Sequence, residues 1–229
     1  MRTCGRYLLL VWLAGTPFFS LAKSLETNAV KIVNAPSWLT EARVRTIAHK
    51  VEEFLEWDIR RVQVVWHASQ SEFAAAHGLG PLALAATDRK AQIIHIGPRV
   101  SAENFDGIFG HELAHIVIIQ KYKQAIPAWL EEGLANYVGE LDKVDYKYLN
   151  SKPYVPVASL THPYRKNADT KYHYHASTAL MKMIAEKCPI HDLLQLSVGK
   201  RIETYLKTFC EIPDLDLAFK KWLKTQASK

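Results

Sequence analysis

The pentapeptide His111-Glu112-Leu113-Ala114-His115 constrains this chain more than any other segment. It lies within a stretch from about Glu103 to Tyr122 that reads as one long helix. On a helix, residues four apart return to nearly the same direction one turn on, so both imidazoles can reach a single metal ion. Glu112 lies about 100° round from His111. It therefore misses the ion and can reach a water bound to it, which is where a general base is needed.

Two histidines ask for a third ligand, and zinc in hydrolytic sites commonly takes two His and one Glu, leaving a fourth position for water. The segment Pro127-Ala128-Trp129-Leu130-Glu131-Glu132-Gly133-Leu134-Ala135-Asn136-Tyr137 offers it. Pro127 suits the first turn of a helix running to about Val138, and the short connection from Tyr122 lets the two helices pack as antiparallel neighbours. Glu131 and Glu132 point about 100° apart, so only one is expected to face the first helix. Gly133 would let the two backbones approach closely, which favours Glu132 and leaves Glu131 dispensable.

The rest of the chain supplies an α+β pattern. Thr40 caps an amphipathic helix in which Val44, Ile47, Val51, Phe54 and Leu55 recur as far as Trp57. Val62 to His67 reads as a strand, and Ser69 or Ser71 opens a short helix ending at Gly78. Leu82 to Ala86 and Ala91 to Ile96 then read as two strands joined around Thr87-Asp88-Arg89-Lys90. The second of these could pair with an extended peptide as an edge strand. From Glu140 to Lys171 there is no clean periodicity, which suggests a long ordered connection bordering a cleft. Tyr172 to Lys187, Leu193 to Phe209 and Leu215 to Leu223 read as helices. Nothing separates domains, so residues 23–229 are expected to form one.

The first 22 residues are set apart. Arg2 and Arg6 precede an apolar run from Tyr7 to Ala14, then Gly15, Pro17 and Ser20-Leu21-Ala22, the pattern of a secretory signal peptide. The run is too short and too interrupted for a membrane span of roughly 20 residues, so no anchor is expected after cleavage. Loss of the two arginines lowers the formal net charge of +6 by two. The remaining basic excess gathers near the C-terminus as a solvated helix face, and with export it gives no reason to expect a nucleic-acid partner. Of three cysteines, Cys188 and Cys210 survive processing, and an even pair in an oxidising compartment predicts a disulfide. Periplasmic or secreted localisation follows.

The two central motifs together resemble those of the gluzincin metallopeptidases, the thermolysin and zinc-aminopeptidase superfamily, and most closely the small bacterial peptidase MA-like domains. HELAH followed by Pro-x-Trp-Leu-x-Glu-Gly-Leu-Ala carries the resemblance. Weaker likenesses run through Gln63 to Trp66 with Ser71-Glu72-Phe73, Val155 to Leu160, and Tyr174-His175-Ala176-Ser177. The resemblance implies a zincin-like fold with a small N-terminal mixed sheet, an active-site helix and a C-terminal helical part. It also implies one zinc ion per chain held by His111, His115 and Glu132. Thermolysin-like enzymes place an Asp four residues after the Glu ligand to orient a zinc-bound His. Here that position is Asn136, a neutral amide that would raise imidazole basicity less.

Tyr174 is a candidate donor to the oxyanion, with Tyr172, His173 and His175 as weaker ones. His49, His67, His77, His95, His162 and His191 lack motif partners and are expected to be structural or exposed. The expected activity is hydrolysis of peptide bonds in a peptide, protein or cell-wall peptide, with Glu112 as base. The alternative is a zinc-containing module that binds such a peptide without cutting it.

Overall fold

Valine and isoleucine alternate with polar residues in two short runs, and both become strands. In Val30–Val33 the residues Val30 and Ile32 are buried while Lys31 faces water, and Val62–Trp66 repeats the pattern with Val62, Val64 and Trp66 inward. The computed structural model of the chain describes residues 23–79, 81–123, 126–141, 143–165, 167–196 and 201–228. The expected signal peptide lies outside the described residues.

The architecture is mixed α+β, a small mixed sheet followed mostly by helices. Five strands, β1 (Leu25–Glu26), β2 (Val30–Val33), β3 (Val62–Trp66), β4 (Ala85–Asp88) and β5 (Ile93–Ile96), form one sheet in the order β1-β2-β3-β5-β4. The three central strands run parallel, and the outer two, β1 and β4, are antiparallel to their neighbours. The register aligns Ile32 with Val64 and Val64 with Ile94, so one fully buried row crosses the sheet. β1 and β2 are absent from the sequence reading because strands this short carry too little periodicity. The strand expected over Leu82 to Ala86 begins three residues later, since Leu82 is exposed. The strand order makes β4 the sheet edge and puts the Ala91 to Ile96 segment inside the sheet, where its β5 portion is paired on both sides.

Thr40 caps α1 (Glu41–Leu55) and Ser69 caps α2 (Gln70–His77), each by accepting a backbone N–H. α3 (Phe105–Tyr122) is buried almost all the way round, the signature of a central rather than a surface helix. Phe105 stacks on Trp66 of β3 with ring centroids 5.7 Å apart, and α1 packs along α3 from the side. Phe109 is fully buried here, so truncation to Ala should cost about 3–5 kcal/mol.

α4 (Ala128–Val138) follows, with Pro127 as its N-cap rather than its first helical residue. It crosses α3 at paired glycines: a Cβ on Gly139 would lie 2.6 Å from the Gly107 carbonyl oxygen. Gly133 serves a different contact from the expected one, for its Cβ would meet the Ser177 carbonyl oxygen at 2.4 Å, on α6 (Thr170–Ala185). The close approach it permits is therefore between α4 and α6.

The Glu140 to Lys171 connection is ordered and contains α5 (Tyr146–Ser151) and a 3-10 turn at Val157–Ser159. Tyr172 and His173 hold it to α6 by accepting the backbone N–H groups of Val155 and Thr161. The expected Leu193 to Phe209 helix is two, α7 (Ile190–Leu196) and α8 (Ile202–Phe209), before α9 (Leu215–Ala227). Cys188 and Cys210 form a disulfide with Cα atoms 5.3 Å apart. Among the described residues, no helix is long and apolar enough to cross a membrane.

Candidate metal centre

His111 and His115 project from one face of α3, and α4 brings Glu132 against them. His111 Nε2 lies 3.1 Å from His115 Nε2, and each lies 3.7 Å from a different Glu132 oxygen. A tetrahedral ion with bonds of about 2.0 Å separates its ligand atoms by about 3.3 Å, so the three side chains already stand near coordinating distance. All three are buried, and they form a group able to hold a metal ion.

Glu131 does not point away. Its Oε1 lies 3.0 Å from His115 Nδ1 and also accepts a hydrogen bond from Arg89, the residue just after β4. The two adjacent carboxylates thus flank one imidazole from opposite ring nitrogens, and the expectation that only one could face α3 is corrected. A 100° separation is compatible with both because the long glutamate side chains converge on a ring lying between them.

Glu112 is directed elsewhere, as its position on α3 requires. Its Oε2 accepts a 2.6 Å hydrogen bond from the Thr87 hydroxyl on β4. Asn136 is fully buried, and its Nδ2 donates to Thr178 Oγ1 at 2.8 Å. Asn136 Oδ1 and His111 Nδ1 are both buried with no hydrogen-bond partner.

Burying three carboxylates together is costly unless cations meet them. With protein groups alone, burial pushes Glu132 up to about 7 and raises Glu112 as well. Burial opposes charge on His115 too, but Glu131, Glu132 and Glu112 overcome it and lift the ring to about 9. Burial likewise works against Glu131, yet His115 and Arg89 hold its carboxyl down at about 2. His111 is driven well below its usual value by burial and by His115. One imidazole that attracts positive charge, beside another that resists a proton, suits a metal cation better than two imidazolium rings.

The site opens on a cleft of about 400 Å³ lined by the three ligands and Glu112 together with Thr87, Arg89, His162 and Tyr164. His162 was expected to be bland, but its Nε2 lies 3.8 Å from Glu132 Oε2. It comes from the Glu140 to Lys171 connection, whose lack of periodicity hid it. His77 and His95 also line the cleft, and His95 Nδ1 lies 3.0 Å from His67 Nε2. Arg89 and Thr87 belonged to the expected turn; the shifted strand turns both toward α3 and α4. Tyr174, expected at the cleft, is half-buried and is not among the residues that line it; burial followed by the Glu132 charge raises its hydroxyl well above the usual range. Tyr172 instead supports the connection. The disulfide lies in the α6 to α8 region and contributes no residue to the cleft.

No protein-family model matches this chain, and no curated protein matches it.

Proposed function

We propose that the chain is an exported zinc-dependent peptidase with a zincin-like fold of gluzincin type, in which His111, His115 and Glu132 hold the metal and Glu112 is the base. The observation that carries this reading is the convergence of three candidate ligand side chains on an open cleft, with the Glu112 carboxylate held off that group by Thr87. Zinc bound there would polarise a substrate carbonyl and acidify a water. Glu112 takes the proton from the attacking water and returns it to the leaving amine. Thr87 keeps the Glu112 carboxylate on the cleft side of α3. His162, Tyr164 and Tyr174 are the candidate donors to the carbonyl oxygen as it gains charge. The open edge of β4 suits an extended peptide, from a protein or the cell wall, laid along it by strand pairing.

His162 bears on the competing reading of a closed, non-catalytic zinc site. Its Nδ1 accepts the Tyr164 N–H at 3.3 Å, so the neutral ring carries its proton on Nε2. The nitrogen facing Glu132 is then a donor without a free lone pair. With its proton there, His162 would not serve as a fourth ligand, which favours a site open to water over a closed one. The disulfide supports an oxidising, exported setting.

The test is cleavage of a peptide library by residues 23–229, compared with Glu112→Gln. Wild type should cut, and the variant should keep zinc while losing at least roughly a hundredfold in turnover. Zinc-loaded wild type that binds library peptides and cuts none would overturn the enzyme reading in favour of the binding module.

A further inference from the structure

The helix α2 supplies Ala76 and His77 to the lining of the cleft, yet Phe73 is its only buried residue. Phe73 rests with Ala83 and Ala86 in a small cluster separate from the main core. A helix anchored by one apolar side chain depends on its remaining contacts to stay in place.

Histidines supply those contacts. The Phe73 ring centroid lies 4.0 Å from that of His77 and 5.8 Å from that of His67, which in turn lies 5.2 Å from that of His95. His77 Nδ1 accepts the Leu79 N–H at 2.7 Å, and His67 Nε2 meets His95 Nδ1 at 3.0 Å. Each contact needs a ring nitrogen that carries no proton. A proton added to His77 must go to Nδ1, because Nε2 already holds the hydrogen of the neutral ring, and two N–H groups would then face each other. Nε2 is itself buried without a partner among the described residues, so a charged His77 would leave both of its hydrogens without an acceptor. The His67–His95 contact survives one added proton, since a charged ring can donate to a neutral one. A second proton leaves no acceptor between them.

The charges nearby are few. Glu72 on α2 favours a proton on His67, and Asp88 on β4 favours one on His95. Burial outweighs both and, together with the other imidazoles at His77 and His95, holds all three rings below the ordinary value of 6.5. Arg99 donates to the Pro81 and Ala83 carbonyls, and Tyr164, whose hydroxyl is raised by burial, packs on the Phe73 cluster; neither side chain changes charge in acid. A histidine lowered on folding stabilises above its unfolded value, and that contribution is lost as pH falls below it.

We propose that His67, His77 and His95 form an acid-sensitive latch: uncharged, they hold α2 and Leu79 in the wall of the cleft, and charged, they release them. None of the three belongs to the His111, His115 and Glu132 group, so the latch needs no metal. It goes beyond the peptidase reading by giving an exported protein a cleft whose shape answers to the acidity around it.

The test is hydrogen–deuterium exchange of residues 23–229 as purified, at pH 7.5 and pH 5, with rates corrected for the intrinsic effect of pH. Peptides covering α2 to Leu79 should exchange at least roughly tenfold faster at pH 5, the scale set by losing buried hydrogen bonds, while those covering α1 stay within about threefold. In His77→Asn/His95→Asn, each Asn oxygen can accept the same N–H and takes no proton, so the acceleration over α2 should shrink to less than about threefold. Loss of a metal in acid is common to both proteins and drops out of their comparison. His77→Ala should exchange quickly over Leu79 already at pH 7.5. His77→Asn alone should remove the acceleration at Leu79, which keeps the test open if the double variant does not fold. Unchanged exchange of α2 in wild type between the two pH values, or equal acceleration in wild type and the Asn variants, would overturn the latch and leave the peptidase reading untouched.

Discussion

Glu131 Oε1 lies 3.0 Å from His115 Nδ1, on the far side of the ring from the nitrogen that faces Glu132. Two neighbours in sequence thus divide the work on one imidazole, one orienting it and one joining it in the group able to hold a metal ion. The guanidinium of Arg89 completes the row by pairing with Glu131, which keeps that carboxylate ionised inside the protein.

Glu131→Gln should therefore weaken zinc binding by roughly tenfold, and Glu131→Ala by more, in the range typical of groups that support a metal ligand. Arg89→Met should produce a smaller loss in the same direction. Chelator competition measures all three; affinities equal to wild type would return Glu131 to the dispensable role its sequence position suggested.

Thr87→Val should lower turnover by about tenfold with zinc content unchanged. The hydroxyl holds Glu112, not the ligands, so its removal loosens the base while the metal stays. Elemental analysis alongside steady-state kinetics separates the two effects, and parallel loss of zinc would count against this division of labour.

Among the oxyanion candidates, His162→Ala, Tyr164→Phe and Tyr174→Phe should each be compared with Tyr172→Phe. Whichever residue donates to the transition state should cost roughly ten- to a thousandfold in turnover, with little change in zinc content or melting temperature. The Tyr172 hydroxyl accepts the Val155 N–H, so its removal should show in the melting temperature first.

Replacing both Cys188 and Cys210 by Ser opens a loop with a sequence separation of 22, and chain-entropy estimates put the loss of stability at about 3 kcal/mol. Denaturant unfolding of the oxidised and variant proteins checks it. Thiol titration of the wild type should find the pair oxidised.

Alkaline pH gives a prediction away from the metal. Burial, and then the hydrogen bond donated to Asp216 Oδ1, raise the Tyr154 hydroxyl in the folded protein well above its unfolded value near 10. A group raised on folding stabilises below its unfolded pKa, and that contribution is lost as pH rises beyond it. The melting temperature of wild type should thus fall more steeply from about pH 9 to 11 than that of Tyr154→Phe, as scanning calorimetry would show; identical slopes would contradict it.

Much of the site was legible because it is built on local periodicity. The spacing of His111 and His115 on one helix, the direction of Glu112 and the arrival of Glu132 on the next helix follow from 3.6 residues per turn and a short connection. The caps at Thr40 and Ser69, the helical face of α1 and the Cys188–Cys210 pair were equally readable, since each depends on residues close in sequence or on a choice among very few partners. What the sequence could not decide were contacts between segments far apart in the chain. The register of β4 turns Thr87 toward Glu112 and Arg89 toward Glu131. The packing of α6 on α4 sets Thr178 against Asn136 and gives Gly133 its reason. The aperiodic connection brings His162 beside Glu132. Helical spacing fixes which residues share a face, but only the packed tertiary structure fixes what each face meets, because that depends on long-range register and side-chain reach that no local pattern encodes.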